Sequence, residues 1–366
     1  MTKGRNESAD QKGKTTNSNQ RPANKHTASF VIRHSSFVIR HSSFVFYHSS
    51  PVLDFTTILY AILPTYITML VGGLCRKWQL LPKEADAGLM RLAVNLLYPC
   101  LIIERIVGNP EVNYPWRVLA AASLGFGLAG LGIWLGYLAA PTIGLKNGEG
   151  RRTFAMTTGI QNYGFVAIPV ISALFPNGRT LGVMFTFTLG VELAVWTLGV
   201  GILTGLNKAP WKAALNAPVL AILAALALNF LGAAPYIPAP LHSVMNSLGN
   251  CSVPLSVVLI GASIADMWRH ERFNWPVAMM SAVLRQLIIP IAFVLAAWLL
   301  PLTDDLKRVL VVQGAMPSAV FSIVLARHYG GHPPTAVQVI LATTAASLIT
   351  TPLMISLVVQ WLKIGP

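Results

Sequence analysis

Residues 161–170 read QNYGFVAIPV, which sets Gln161, Asn162, Tyr163 and Gly164 side by side and places Pro169 seven residues after Asn162, inside a long apolar run. Glycine loosens a helix, and proline removes a backbone donor and crowds the preceding turn. A helix broken there frees N–H and C=O groups that are tolerated at membrane depth only beside protein or water, never beside lipid. The stretch therefore predicts an interruption with protein or a cavity around it.

The surrounding composition sets that interruption in a membrane. Of 366 residues, 54% are apolar and 11% charged, against about 25% charged in soluble domains. Mean hydropathy is +0.59. Windows of about 20 apolar residues predict ten spans, near 53–75, 88–108, 116–139, 153–175, 179–205, 213–232, 243–265, 276–300, 308–327 and 336–361. These segments exclude a soluble core and predict an all-α polytopic membrane protein. Cys75, Cys100 and Cys251 are far apart and within or at the ends of spans, so they read as small apolar residues. Four of the eight histidines lie in the first 50 residues, and no HExxH, GxSxG or P-loop pattern occurs. No metal or cofactor is expected.

The formal charge of +14 separates into two parts. Residues 1–50 hold eight basic residues against Glu7 and Asp10. They include three near-identical heptads, SFVIRHS, SFVIRHS and SFVFYHS (29–49), which form neither one amphipathic face nor a signal-peptide core. Residues 1–52 are expected to be a disordered or spurious tail, with the membrane domain at 53–366. Of the loop cations in that domain, eleven fall on one side: Arg76, Lys77, Lys83, Lys146, Arg151, Arg152, Lys208, Lys212, Arg269, Arg272 and Arg327. Five fall on the other: Arg117, Arg179, Lys307, Arg308 and Lys363. The alternation argues against nucleic-acid binding. The positive-inside rule makes the richer side cytoplasmic and sets both termini outside.

Prolines and asparagines reveal a duplication. VNLLYPCLII (94–103) and GNCSVPLSVV (249–258) each place Pro four residues after Asn, at an offset of 155 residues. Pro64 and Pro218 are 154 apart, and the 63 residues from Pro99 to Asn162 recur from Pro254 to Pro317. Five spans are thus expected in each of two repeats, 53–208 and 209–366. An odd number per repeat turns the second half upside down, the plan of many secondary transporters. The fourth span then pairs with the ninth, whose VVQGAMPSAV (311–320) again combines Gln, Gly and Pro. Two broken helices in equivalent positions predict a substrate site at the midplane.

Two ionisable residues lie deep in spans, Glu192 in the fifth and Arg285 in the eighth. A charge there is costly unless paired or hydrated. Arg285 can hold a carboxylate, pair with Glu192, or cap carbonyls of a broken helix, and a structural role is favoured. Glu192 is either a coupling residue or a satisfied buried acid.

These residues resemble the auxin efflux carrier family, which includes the plant PIN-type carriers and many bacterial permeases. The likeness covers residues 53–366 and is most specific in 312–353, VQGAMPSAVFSIVLARHYGGHPPTAVQVILATTAASLITTPL. Asn162 with Pro169, Arg91 with Pro99 and Arg285 with Pro290 are similar to its motifs. The resemblance implies ten spans, a crossover of helices four and nine beside the substrate, and commonly a homodimer. It further implies a scaffold of spans one, two, six and seven and a mobile unit of the rest, within a superfamily that includes bile-acid sodium symporters. Plant members carry an acidic residue and a lysine in the third span, whereas VLAAASLGFGLAGLGIWLGYLAA (118–140) has no ionisable group. Auxin is therefore not assumed as the substrate.

The expected function is secondary transport of small organic anions such as carboxylates across the cytoplasmic membrane, by alternating access. Half-helix amino termini carry partial positive charge, and neutral side chains can bind an anion without trapping it. The expected site consists of Gln161, Asn162, Tyr163, Gly164 and Pro169 with Gln313, Gly314, Met316, Pro317 and Ser318. Proton and sodium coupling both remain open, sodium matching the bile-acid carriers. An intramembrane enzyme would need a nucleophile and base, or paired carboxylates, at membrane depth. Glu192 has no second carboxylate or histidine near it in sequence, so no enzyme is expected.

Overall fold

The computed structural model describes residues 54–146, 148, 150–205, 211–268 and 274–365. The expected tail at 1–52, and the loop cations Lys208, Arg269 and Arg272, lie outside the described residues. The described chain is helical, and the isolated bridge between Gln161 and Ser318 is its extended pairing.

Twelve helical stretches follow in chain order. They are α1 (Phe55–Lys77), α2 (Lys83–Ile106), α3 (Pro115–Ile143), α4 (Arg151–Gly159), α5 (Ala167–Leu174) and α6 (Arg179–Leu203). After them come α7 (Ala217–Phe230), α8 (Ala239–Met267), α9 (Trp275–Leu299), α10 (Asp304–Ala315), α11 (Ser322–His328) and α12 (Pro333–Leu362). Seven of these, α1, α2, α3, α6, α8, α9 and α12, are long and apolar enough to cross a membrane. The other three expected segments take different forms. The sixth is the shorter apolar helix α7, and the fourth and ninth are interrupted, as α4 with α5 and α10 with α11.

Polar side chains start several of these apolar helices by accepting an otherwise unpaired N–H. Asp54 accepts from Thr57 N at 2.8 Å, Asn216 from Val219 N at 3.0 Å, and Thr303 from Leu306 N at 3.4 Å. Two prolines inside long helices are preceded by π turns, Ala93–Leu97 ahead of Pro99 and Leu284–Ile288 ahead of Pro290. A π turn widens the backbone where proline lacks a donor.

Small residues let the helices close up, since in lipid it is close packing that holds helices together. A Cβ added at Gly190 of α6 would lie 1.7 Å from Ala122 O on α3, and one at Gly159 would lie 2.2 Å from Ile133 N. The end of α4 is therefore pressed onto α3 backbone to backbone. The packing falls into two neighbourhoods. Helix α8 packs on α1 and α2, and α2 on α7. Helix α3 packs on α6 and α4, and α9, α10 and α12 pack on one another.

The interruptions meet. Asn162 N donates to Pro317 O at 2.7 Å, and Ala319 N donates to Ile160 O at 3.0 Å. Each broken segment thereby satisfies backbone groups that the other has freed, with no lipid contact required. The break at QNYG begins ahead of Pro169 rather than at it. Proline clashes with the carbonyl four residues earlier, and that turn has unwound. Pro169 itself is the third residue of α5, in a first turn where an N–H would lack an intrahelical partner. Pro317 lies in the interruption itself.

Candidate functional site

A cavity of about 390 Å³ lies where the two neighbourhoods face each other. From one side, Met90, Val94 and Tyr98 of α2, Pro218 of α7 and Ile260 and Ser263 of α8 line it. From the other come Asn162, Tyr163, Gly164 and Phe165 of the first interruption, Ala319, Val320 and Phe321 of the second, and Glu192, Val195 and Trp196 of α6. Asn216, at the mouth of α7, completes the wall.

Asn162 is 6% exposed, and its backbone N–H is committed to Pro317. Its carboxamide makes no hydrogen bond to protein among the described residues. An amide with two donors and an acceptor is thus left for whatever enters the cavity. Tyr163 turns its hydroxyl to Glu192, and Gly164 sits against the ring of Tyr98.

Glu192 is 8% exposed and carries three donors. Tyr163 OH donates to Oε1 at 2.8 Å, while Trp196 Nε1 and Asn216 Nδ2 each donate to Oε2 at 3.0 Å. The same Asn216 caps α7 through its Oδ1. One carboxylate therefore joins the first interruption, α6 and the start of α7.

Arg285 is fully buried and does not pair with Glu192. Its Nε donates to Met316 O at 2.9 Å, its Nη2 to Gly314 O at 3.1 Å and Gln313 O at 3.2 Å, and its Nη1 reaches Gly159 O at 3.5 Å. These carbonyls end α10 and α4, where the helix dipole is negative and intrahelical donors are missing. Of the three roles open to Arg285 in the sequence, the geometry takes carbonyl capping.

The remaining expected site residues pack behind the cavity wall rather than lining it. Gln313 Nε2 donates to Tyr163 O at 3.0 Å and ties the second segment to the first interruption. Ser318 N donates to Thr343 Oγ1 at 3.2 Å. Gln161 and Ser318 form the bridge, and Gly314, Met316 and Pro317 hold the turn that Arg285 and Asn162 bind. Sequence inspection missed Trp196, Asn216, Tyr98 and Thr343. Trp196 is four residues from Glu192, a helical spacing that could have marked it. Asn216 precedes Ala-Pro at a helix start, which signals a cap but not its partner on α6.

A model of the membrane transport protein family matches residues 57–209 and again residues 202–355. An uncharacterized transporter of Methanocaldococcus jannaschii is 23% identical over 298 residues, covering 80% of this chain and 96% of its own.

Replacing Arg285 by Met should leave several buried carbonyls without donors, a loss of about 3 kcal/mol or more. Melting of the detergent-solubilised protein should fall markedly, and Arg285→Lys should restore little because an ammonium cannot span the same fork. Unchanged melting accompanied by lost ligand binding would instead make Arg285 part of the substrate site.

Proposed function

Because the chain belongs to the membrane transport protein family, that of the auxin efflux carrier-type permeases, and is a multi-pass membrane transporter, we propose that it is a secondary carrier of small organic anions, carboxylates above all. The proposed mechanism is alternating access at the cavity beside the paired interruptions. The observation that carries the proposal is Asn162: it lines the cavity, is 6% exposed, and keeps its carboxamide unbonded among the described residues. A neutral amide can orient a carboxylate while remaining weak enough to release it. Five residues further on α5 begins, whose amino end carries partial positive charge. A cavity of about 390 Å³ lies within the range that holds small ligands.

The same proposal takes α4 with α5, α7, and α10 with α11 as three further spans, making ten in two inverted repeats, 53–208 and 209–366. The two family matches, which divide the chain near residues 202–209, support that division. In this scheme α1, α2, α7 and α8 are the scaffold and the other helices move against them. Both termini face outward from the cytoplasmic membrane, in keeping with the loop cations, and two copies associate as a homodimer.

A sodium-coupled form of the carrier is a second proposal, and one observation favours it. Gln161 Oε1, Gln313 Oε1 and Ser318 Oγ are buried around the crossover with no protein partner among the described residues. Oxygen atoms of this kind suit a small hard cation. Uptake of small carboxylates into proteoliposomes should then follow an imposed sodium gradient; uptake that follows only a proton gradient would remove this form.

Asn162→Ala should lower carboxylate affinity about ten- to a hundredfold, the loss of one hydrogen bond to a charged ligand, while melting stays near that of the parent. Calorimetry with a panel of small carboxylates checks both. Unchanged affinity would take Asn162 out of the site, and a collapsed fold would make it structural.

A further inference from the structure

Among the described residues, the cavity wall contains one acidic side chain, Glu192, and no Lys, Arg or His. Five aromatic residues line the same cavity, Tyr98, Tyr163, Phe165, Trp196 and Phe321, and two of them, Tyr163 and Trp196, hydrogen-bond to that carboxylate. A carrier of simple anions would place its substrate beside a second buried negative charge in a poorly screened space, which opposes binding. A cation would gain from both features, since a carboxylate attracts it and aromatic faces stabilise it.

Resting on the carboxylate-carrier reading, and narrowing it from simple anions, we propose that the transported carboxylate also bears a positively charged nitrogen, so that the substrate is an ammonium or quaternary-ammonium carboxylate of no net charge. Its carboxylate lies on Asn162, and its cation lies between Glu192 and the aromatic rings. The two ends of the site adjoin, because Tyr163 follows Asn162 in the chain and donates to Glu192 at 2.8 Å. Glu192 has room for the cation. A carboxylate offers about four acceptor positions, and three are taken: one on Oε1 by Tyr163, two on Oε2 by Trp196 and Asn216. The vacant position is on Oε1. The ring of Trp196 lies 6.4 Å from that of Phe321, and Tyr98 lies 5.6 Å from Phe165. Tyr98 OH, buried without a protein partner among the described residues, supplies a further polar contact at the wall.

The test is calorimetry on the purified full chain with four probes: 4-aminobutanoate, butanoate, pentanedioate and butylamine. The wild type should bind 4-aminobutanoate about tenfold or more tightly than butanoate or pentanedioate, and Glu192→Gln should bring that ratio to about one. Equal or tighter binding of butanoate or pentanedioate would overturn the zwitterion and leave the carboxylate carrier standing. Persistence of the preference in Glu192→Gln would overturn the assignment of the cation to Glu192. Binding of butylamine with no response to any carboxylate, or no response to any probe, would overturn both readings. The wild-type ranking decides the matter even if Glu192→Gln does not fold.

Discussion

In a hydrocarbon layer every freed backbone group has to find a partner in the protein or in water that a cavity admits, and this constraint governs the centre of the molecule. Two helices are interrupted at the same depth, and their loosened strands bond to each other through Asn162 N to Pro317 O and Ala319 N to Ile160 O. Neither interruption could face lipid alone, since its freed groups need the other strand or water. Each break therefore stabilises its counterpart, and the short strands of the pair can present side chains in directions no intact helix allows. Asn162, Tyr163 and Gly164 reach the cavity for that reason.

The two buried charges divide the remaining work. Arg285 supplies donors to the carbonyl ends of α4 and α10, so a cation sits where both dipoles are negative and fixes the first half of each broken helix. Glu192 lies on the other face, at the cavity, held by donors from Tyr163, Trp196 and Asn216. Because Asn216 also caps α7, the Glu192 contact crosses from one packing neighbourhood to the other. In an alternating-access cycle a link of this type would have to change as one group of helices moves against the other.

The interruptions were legible in the sequence because they carry their own local signature, Gly and Pro beside polar residues in apolar runs. Arg285 and Glu192 were legible as isolated charges in apolar windows, although their partners were not. Capping carbonyls leave no trace in side-chain identity, and Asn216 lies 24 residues from Glu192. Pro169 marks the first break only indirectly. The residue that forbids a helix is visible, but the turn that gives way is the one before it. Window length said less: ten apolar windows were visible, and among the described residues seven of them form long helices, one a short helix and two interrupted pairs. Packing determines where an apolar run stays helical, and packing is not a property of the window.

The central claim, that the two interruptions pair strand to strand, is tested most directly by cysteine cross-linking. Gln161 and Ser318 are opposed without bonding each other, since the flanking residues make the hydrogen bonds. Their Cα atoms should then be about 4.5 Å apart, within disulfide reach. With Cys75, Cys100 and Cys251 replaced by serine, Gln161→Cys with Ser318→Cys should form an intramolecular disulfide in membranes under mild oxidation. Leu174→Cys with Ser318→Cys should not. Failure of the first pair to cross-link, with both thiols shown to be reactive, would contradict the crossover on which the cavity depends.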